Sequence, residues 1–229
     1  MWPKRMIFSH QNGRVRVRTQ QFRLDHRGAL FDMTADPGQR HDIAKENRPL
    51  AARLSAAVAA WKKDVLGASG GDDRPFPVGY KPFPVTWLPA RDALPQGKIL
   101  RSSRHPNCSF LTNWVRREDE ITWDIAVAES GQYEAVVYYT CAKDNVGSTI
   151  ELSFRGSSIR AKVARAFDPP LIDDMDRVQR SEGYAKDFRP LRLGVFRLQG
   201  GRGKLTLRAL EIPGKQVMDL RAVALTLQK

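Results

Sequence analysis

Apolar and polar residues alternate almost from the first residues of the chain. Met6-Ile7-Phe8 is a short apolar run closed by Gln11-Asn12-Gly13, and Asn-Gly between such runs signals a tight hairpin. Arg14-Val15-Arg16-Val17-Arg18 alternates strictly, which puts Val15 and Val17 on the inner face of a strand and three arginines on the other. Gln21 to Asp25 repeats the pattern with Phe22 and Leu24 inward, His26-Arg27-Gly28 is a turn, and Ala29 to Met33 is a fourth strand. Asp36-Pro37-Gly38 ends the alternation. Leu50, Leu54, Val58, Trp61 and Val65 then recur at helical spacing, with Pro49 in the first turn, Lys62-Lys63 near the end and Gly67 as the stop. Residues 1–66 therefore read as α+β: a small antiparallel sheet with one covering helix. So small a unit is expected to pack on something larger.

Residues 67–97 read as a connector. Gly67-Ala68-Ser69-Gly70-Gly71 is a flexible composition, and Pro75, Pro77, Pro82, Pro84, Pro89 and Pro95 impose extended backbone. Phe76, Tyr80, Phe83 and Trp87 interleave with the prolines, which predicts a segment pinned across a domain surface rather than a free linker. From residue 98 to 229 the pattern is all-β. Strands are expected over 121–127, 133–141, 149–154, 158–163, 191–198, 204–209 and 217–227, with a hairpin through Arg155-Gly156. Short strands at turn-punctuated spacing predict a jelly-roll-like β-sandwich. Residues 168–187 are the exception, a polar loop long enough to be a functional rim.

The chain has 229 residues, and its 38 Lys and Arg exceed its 25 Asp and Glu by 13. That surplus invites a nucleic-acid reading, but the basic residues sit singly on strand faces. There is no basic run and no zinc-finger, helix-turn-helix or RNA-recognition signature, so no nucleic-acid partner is expected. Acidic polysaccharide is the other polyanion that suits arginine. No apolar run approaches the ~20 residues of a membrane helix, and no membrane partner is expected. The first residues show no signal-peptide pattern. Cys108 and Cys141 leave one disulfide open as a possibility.

The strings Ile7-Phe8-Ser9-His10, Val17 to Leu24, Leu30-Phe31-Asp32, Asp36-Pro37-Gly38-Gln39 and Trp61-Lys62-Lys63 form a connected series. Over about the first 66 residues this series resembles the carboxy-terminal subdomain of type I sulfatases of the arylsulfatase and N-acetylgalactosamine-6-sulfatase kind. The resemblance implies a parent that hydrolyses sulfate esters, on a sulfated glycan, outside the cell or in the periplasm. It also implies an amino-terminal catalytic domain with a formylglycine nucleophile and a calcium ion. The formylglycine is made from Cys or Ser in Cys/Ser-x-Pro-x-Arg, and neither Cys108, Cys141 nor any serine here has that sequence. No catalytic residue and no cofactor is therefore expected in this chain, and the missing domain is an expected partner. Ile121-Thr122-Trp123-Asp124 and Gly131 to Tyr139 resemble the galactose-binding-like sandwiches appended to secreted polysaccharide enzymes. That resemblance implies the alternative of a non-catalytic binding module for sulfated or acidic polysaccharide.

Gly67 to Gly71 spells G-x-S-x-G, but a helix precedes it and prolines follow, the reverse of the strand-turn-helix a nucleophile elbow needs. His10, His26, His41 and His105 lack metal-ligand spacing, and His10 reads as a surface histidine. Asp174 and Asp176 in the polar loop and Asp219 in the last strand are the carboxylates that could hold calcium. Trp114, Tyr138, Tyr139 and Tyr184 are the rings expected to stack on a sugar, whose apolar C–H face suits an exposed aromatic. Trp123 is expected in the core.

Overall fold

The computed structural model describes residues 5–67, 73–105, 109–180 and 182–228, and the chain divides into two units, residues 1–73 and 74–229. In the first, β1 (Ile7–Gln11), β2 (Arg14–Arg18), β3 (Phe22–Leu24) and β4 (Leu30–Asp32) form an antiparallel meander in chain order. Asn12 and Gly13 both take positive φ, 48° and 76°, the backbone of the tight hairpin turn that Asn-Gly favours. Helix α1 (Arg48–Trp61) covers β2 and β3, and Leu54 packs with Val17, Leu24 and Leu30. Trp61 stacks on Phe8 with ring centroids 5.4 Å apart and planes 10° from parallel.

Past Trp61 the helix widens into a π-turn over Lys62–Leu66, closed by the Gly67 amide donating to the Lys62 carbonyl at 3.0 Å. The extra residue per turn rotates the face, so Val65 leaves the apolar stripe and is exposed.

The second unit is a β-sandwich. One sheet runs β13 (Ser157–Lys162), β12 (Thr149–Phe154), β15 (Gly201–Glu211), β10 (Glu120–Val127), β5 (Phe76–Val78), with β7 (Leu94–Pro95) also on β10. The other runs β14 (Arg189–Leu198), β11 (Gly131–Thr140), β16 (Asp219–Leu227), β9 (Leu111–Thr112), β8 (Leu100–Arg101), with β6 (Val85–Pro89) beside β16. Pairing is antiparallel except between β5 and β10. The alternating strands read from sequence all form, within a few residues at their ends.

The connector does not. Within residues 67–97, β5, β6 and β7 are strands of the sandwich itself, and the division between units falls near residue 73 rather than at the end of a linker. Proline hid these strands: it donates no ladder hydrogen bond, so it sits where one side of a strand needs none, as at the sheet edge occupied by β6. A sharp turn at Gly79 (φ +76°) leads out of β5, and a Cβ there would lie 1.8 Å from the Tyr133 hydroxyl, so only glycine fits.

Between the sheets lie Trp123, Ile125, Tyr133, Val137, Phe154, Leu205, Leu207 and Val223, all buried. The outer face of the β10/β12/β15 sheet is polar, and three of its arginines are paired with carboxylates. Arg202 meets Asp124 at 2.6 Å, and Glu151, buried between Arg160 (2.7 Å) and Arg208 (2.6 Å), is held below the usual carboxylate range chiefly by the Arg160 hydrogen bond. No helix is long and apolar enough to cross a membrane among the described residues.

Candidate functional site

The outer face of the β6/β16/β11/β14 sheet is apolar and partly aromatic. On β6 the outward residues are Val85 and Trp87, on β11 Glu134, Val136 and Tyr138, and on β14 Arg192 and Val195. Strand β16 between them presents alanines: Ala222 lies between Pro89 and Tyr138, and Ala224 between Trp87 and Val136. Strands two places apart in a sheet are ~9.5 Å apart. The rings of Trp87 and Tyr138 nevertheless approach to 4.6 Å between centroids, at 54° to each other. They can do so because the alanines beneath them carry only methyl groups, too short to hold them apart. Trp87 stays 45% exposed and Tyr138 half-buried, so the pair is a ring platform open to solvent.

Polar groups flank the platform. Glu134 and Arg192 form an ion pair across β11 and β14, and Thr226 faces the same side of β16. Beyond Val85, the turn between β5 and β6 exposes Tyr80 (58%) and Phe83 (71%), stacked at 6.2 Å, above Lys81 paired with Glu129 at 3.3 Å. A cleft of about 420 Å³ opens beside this turn, lined by Lys81, Pro84, Glu129, Gly131, Leu227 and Gln228. A row of exposed rings edged by hydrogen-bonding groups suits a pyranose chain, which offers C–H faces to the rings and hydroxyls to the rim.

The rings expected from sequence lie in three different places. Tyr138 is on the platform. Trp114 and Tyr139 are each 1% exposed, so neither can stack on a ligand. Trp114 donates its indole N–H to the Asp119 carbonyl at 3.2 Å, and Tyr139 donates its hydroxyl to the Arg165 carbonyl at 2.8 Å. Strict alternation along β11 already puts Tyr139 with Tyr133 and Val137 on the inner face. Tyr184 lies in the 168–187 loop beneath Arg180, whose guanidinium carbon is 4.7 Å from its ring centre. Trp87 is the platform ring that residue type alone did not single out. Its signal was the alternation Val85-x-Trp87, masked by neighbouring prolines.

The carboxylates proposed for calcium lie apart. Asp176 is engaged by Arg180 at 2.5 Å, and Asp174 is exposed in the same loop. Asp219 is buried, and its Oδ2 receives the Lys186 ammonium at 2.6 Å and the Thr140 hydroxyl at 3.3 Å. A lysine cation thus already faces Oδ2, while Oδ1 is buried with no hydrogen-bond partner. Among the described residues no three His, Cys, Asp or Glu side chains gather as a metal set.

Cys141 is a buried free thiol, pushed up to about 11 by burial and by the nearby carboxylates of Asp168 and Asp219. Cys108 lies outside the described residues, as does most of Gly67 to Gly71. His10 is exposed and its Nε2 accepts the Gly13 amide at 3.0 Å, a surface histidine finishing a hairpin.

No protein-family model and no curated protein matches the chain. Among solved structures it is similar to the GH26-CBM35 β-(1,4)-mannanase of Podospora anserina, with TM-score 0.44 and 13% identity over 63% of this chain and 28% of that one. It is also similar to a family 35 carbohydrate binding module from Clostridium thermocellum (TM-score 0.42, 12% identity, 63% and 98% of the two chains). The Cry4Aa toxin of Bacillus thuringiensis scores alike, at 0.45 and 14% identity over 63% and 24%. The chain thus spans about a quarter of the mannanase and of the toxin.

Proposed function

We propose that the second unit is a non-catalytic polysaccharide-binding module whose ligand lies across the Trp87–Tyr138 platform. The observation that carries this reading is the ring pair, held together over Ala222 and Ala224 and left open to solvent. An aromatic pair with no ligand to cover is an apolar surface a soluble fold would otherwise bury. Affinity electrophoresis of the chain against soluble β-mannan, xylan, β-glucan and sulfated galactan tests it. Retardation by at least one polymer, lost in Trp87→Ala and Tyr138→Ala, is expected; equal mobility of parent and variants on every polymer overturns the assignment.

A finer form of the proposal concerns what the module serves. The motif series of the first unit, on a four-stranded sheet with one helix closed by Phe8 and Trp61, supports its being the carboxy-terminal part of a sulfatase acting on a sulfated glycan outside the cell or in the periplasm. Calcium and the formylglycine then belong to the sulfatase's catalytic domain. Coding DNA upstream of this chain that carries Cys/Ser-x-Pro-x-Arg in the same frame is the expected finding. Sulfate-ester turnover by the 229-residue chain alone would contradict that division of labour.

A further inference from the structure

The open face of the first unit's sheet is built of arginine. Strand β2 supplies Arg14, Arg16 and Arg18 at every second residue, about 6.6–6.8 Å apart, and β3 sets Arg23 directly opposite Arg18. On the other side β1 offers only Gln11, Ser9 and Ile7, the register partners of the three β2 arginines. Among the described residues no carboxylate is within ion-pair reach of these four arginines; Arg23 donates instead to the neutral Gln39 side chain at 2.6 Å.

The four aspartates of the sheet and of the loop that follows it are committed to backbone amides. Asp25 accepts the Arg27 and Ala29 amides, Asp32 those of Thr34 and Ala35, Asp36 those of Arg40 and His41, and Asp42 those of Leu30 and Ala44. On the outer face of the β10/β12/β15 sheet, by contrast, Arg160, Arg202 and Arg208 each meet a carboxylate. Like charges directly opposite on a sheet repel, so the Arg18–Arg23 pair stands at a cost that a bound anion would remove. Between Ile7, Ser9, Arg16, Arg18 and Arg23 the face dips into a cleft of about 190 Å³.

We infer that this arginine face binds the anionic groups of an acidic polysaccharide, an inference that rests on the polysaccharide reading of the second unit. Guanidinium forks grip sulfate esters and carboxylates in two-point hydrogen bonds, and the regular spacing along β2 suits anions repeated along one extended chain. Nucleic acid is the lesser match. Single strands are gripped by successive stacking rings, and here Phe31, across from Arg23, stands beside four arginines with neither tyrosine nor tryptophan among them; duplexes are read by a helix or two-stranded ribbon that enters a groove, and these arginines lie on the face of a four-stranded sheet.

The test uses the whole chain in affinity electrophoresis against heparin, polygalacturonate and neutral galactomannan, with fluorescence titration of a single-stranded thymidine oligonucleotide. Heparin or polygalacturonate is expected to retard the chain, and the stronger of the two names sulfate or carboxylate as the preferred group. Arg16→Gln/Arg18→Gln/Arg23→Gln weakens that binding about tenfold or more, flattens its salt dependence by about two to three charges, and leaves galactomannan mobility unchanged. If the triple variant does not fold, Arg18→Gln alone, expected to cost about threefold, decides. Undiminished acidic-glycan binding in the variants, or tighter binding of the oligonucleotide, overturns the inference. Loss of galactomannan binding in Trp87→Ala reports the platform separately, so either surface can fail without the other.

Discussion

The ammonium of Lys186 lies 2.6 Å from Asp219 Oδ2, and the pair is almost wholly out of solvent. The rings of Phe110 and Phe188 close over the ammonium at 4.8 Å and 5.8 Å. Lys186 belongs to the long polar loop and Asp219 begins the strand that carries the alanines of the platform. The loop is thereby tied to the sandwich at its end, as it is at its start where Cys141 and Phe167 exchange backbone hydrogen bonds at 2.8 Å and 2.9 Å. It enters β14 at Arg189 and Pro190, opposite Tyr139 and Tyr138.

Removing one partner of a buried pair leaves a charge with no compensation, which costs about 3–5 kcal/mol. Lys186→Met is expected to destabilise the chain by about that amount, and Lys186→Met/Asp219→Leu to recover much of it. Urea unfolding of the two single variants and the double variant measures the coupling. Additive effects would show that the contact carries no energy of its own.

Ala222→Leu places a branched side chain under rings that meet at 4.6 Å over a methyl group. The rings should part, and polysaccharide retardation should fall about as far as in Trp87→Ala, while the unfolding free energy in urea drops by about 1–3 kcal/mol because Ala222 is fully buried beneath the rings. A variant that binds like the parent would place the ligand elsewhere.

Burial and two neighbouring carboxylates hold the Cys141 thiol protonated, so at pH 8 almost no thiolate exists to react. In Cys108→Ser, a thiol-specific disulfide reagent should find no reactive group in the native chain at pH 8 and one group in denaturant. Fast native labelling would contradict the burial.

Glu151 carries stability that depends on pH. Hydrogen bonds from Arg160 and then Arg208 depress its carboxyl below the ordinary value of 4.5, outweighing the opposing effect of burial. Its contribution is therefore intact above about 4.5 and is lost as pH falls through the folded-state value. Because both arginines are half exposed, Glu151→Gln is expected to cost about 1–2 kcal/mol at pH 7 and clearly less at pH 3. Denaturant titrations at the two pH values check the convergence.

Local pattern was enough where a residue's fate depends on its own strand. Period-two alternation assigned β2, β10, β11, β12 and β16, and the Asn12-Gly13 and Arg155-Gly156 turns took the positive φ their sequences invite. The helical stripe placed Leu54 in the core, because a face of apolar residues must be buried whatever covers it. What alternation could not see was pairing across distance. Strands β5 to β9 have two to five residues each, several with proline, and β6 exists because Val223 and Leu225 lie alongside it more than a hundred positions later.

The sequence alone therefore determined two units of different class, the faces of the long strands and the arginine repeat of β2. Tertiary structure decided which rings are open: Trp114 and Tyr139 were closed into the core, and Trp87 and Tyr138 met over two alanines of a third strand. It also decided which charges are paired, giving Asp219 to a lysine and leaving Arg14, Arg16, Arg18 and Arg23 without carboxylates among the described residues. Exposure and charge pairing depend on neighbours remote along the chain, and only the folded chain brings those neighbours together.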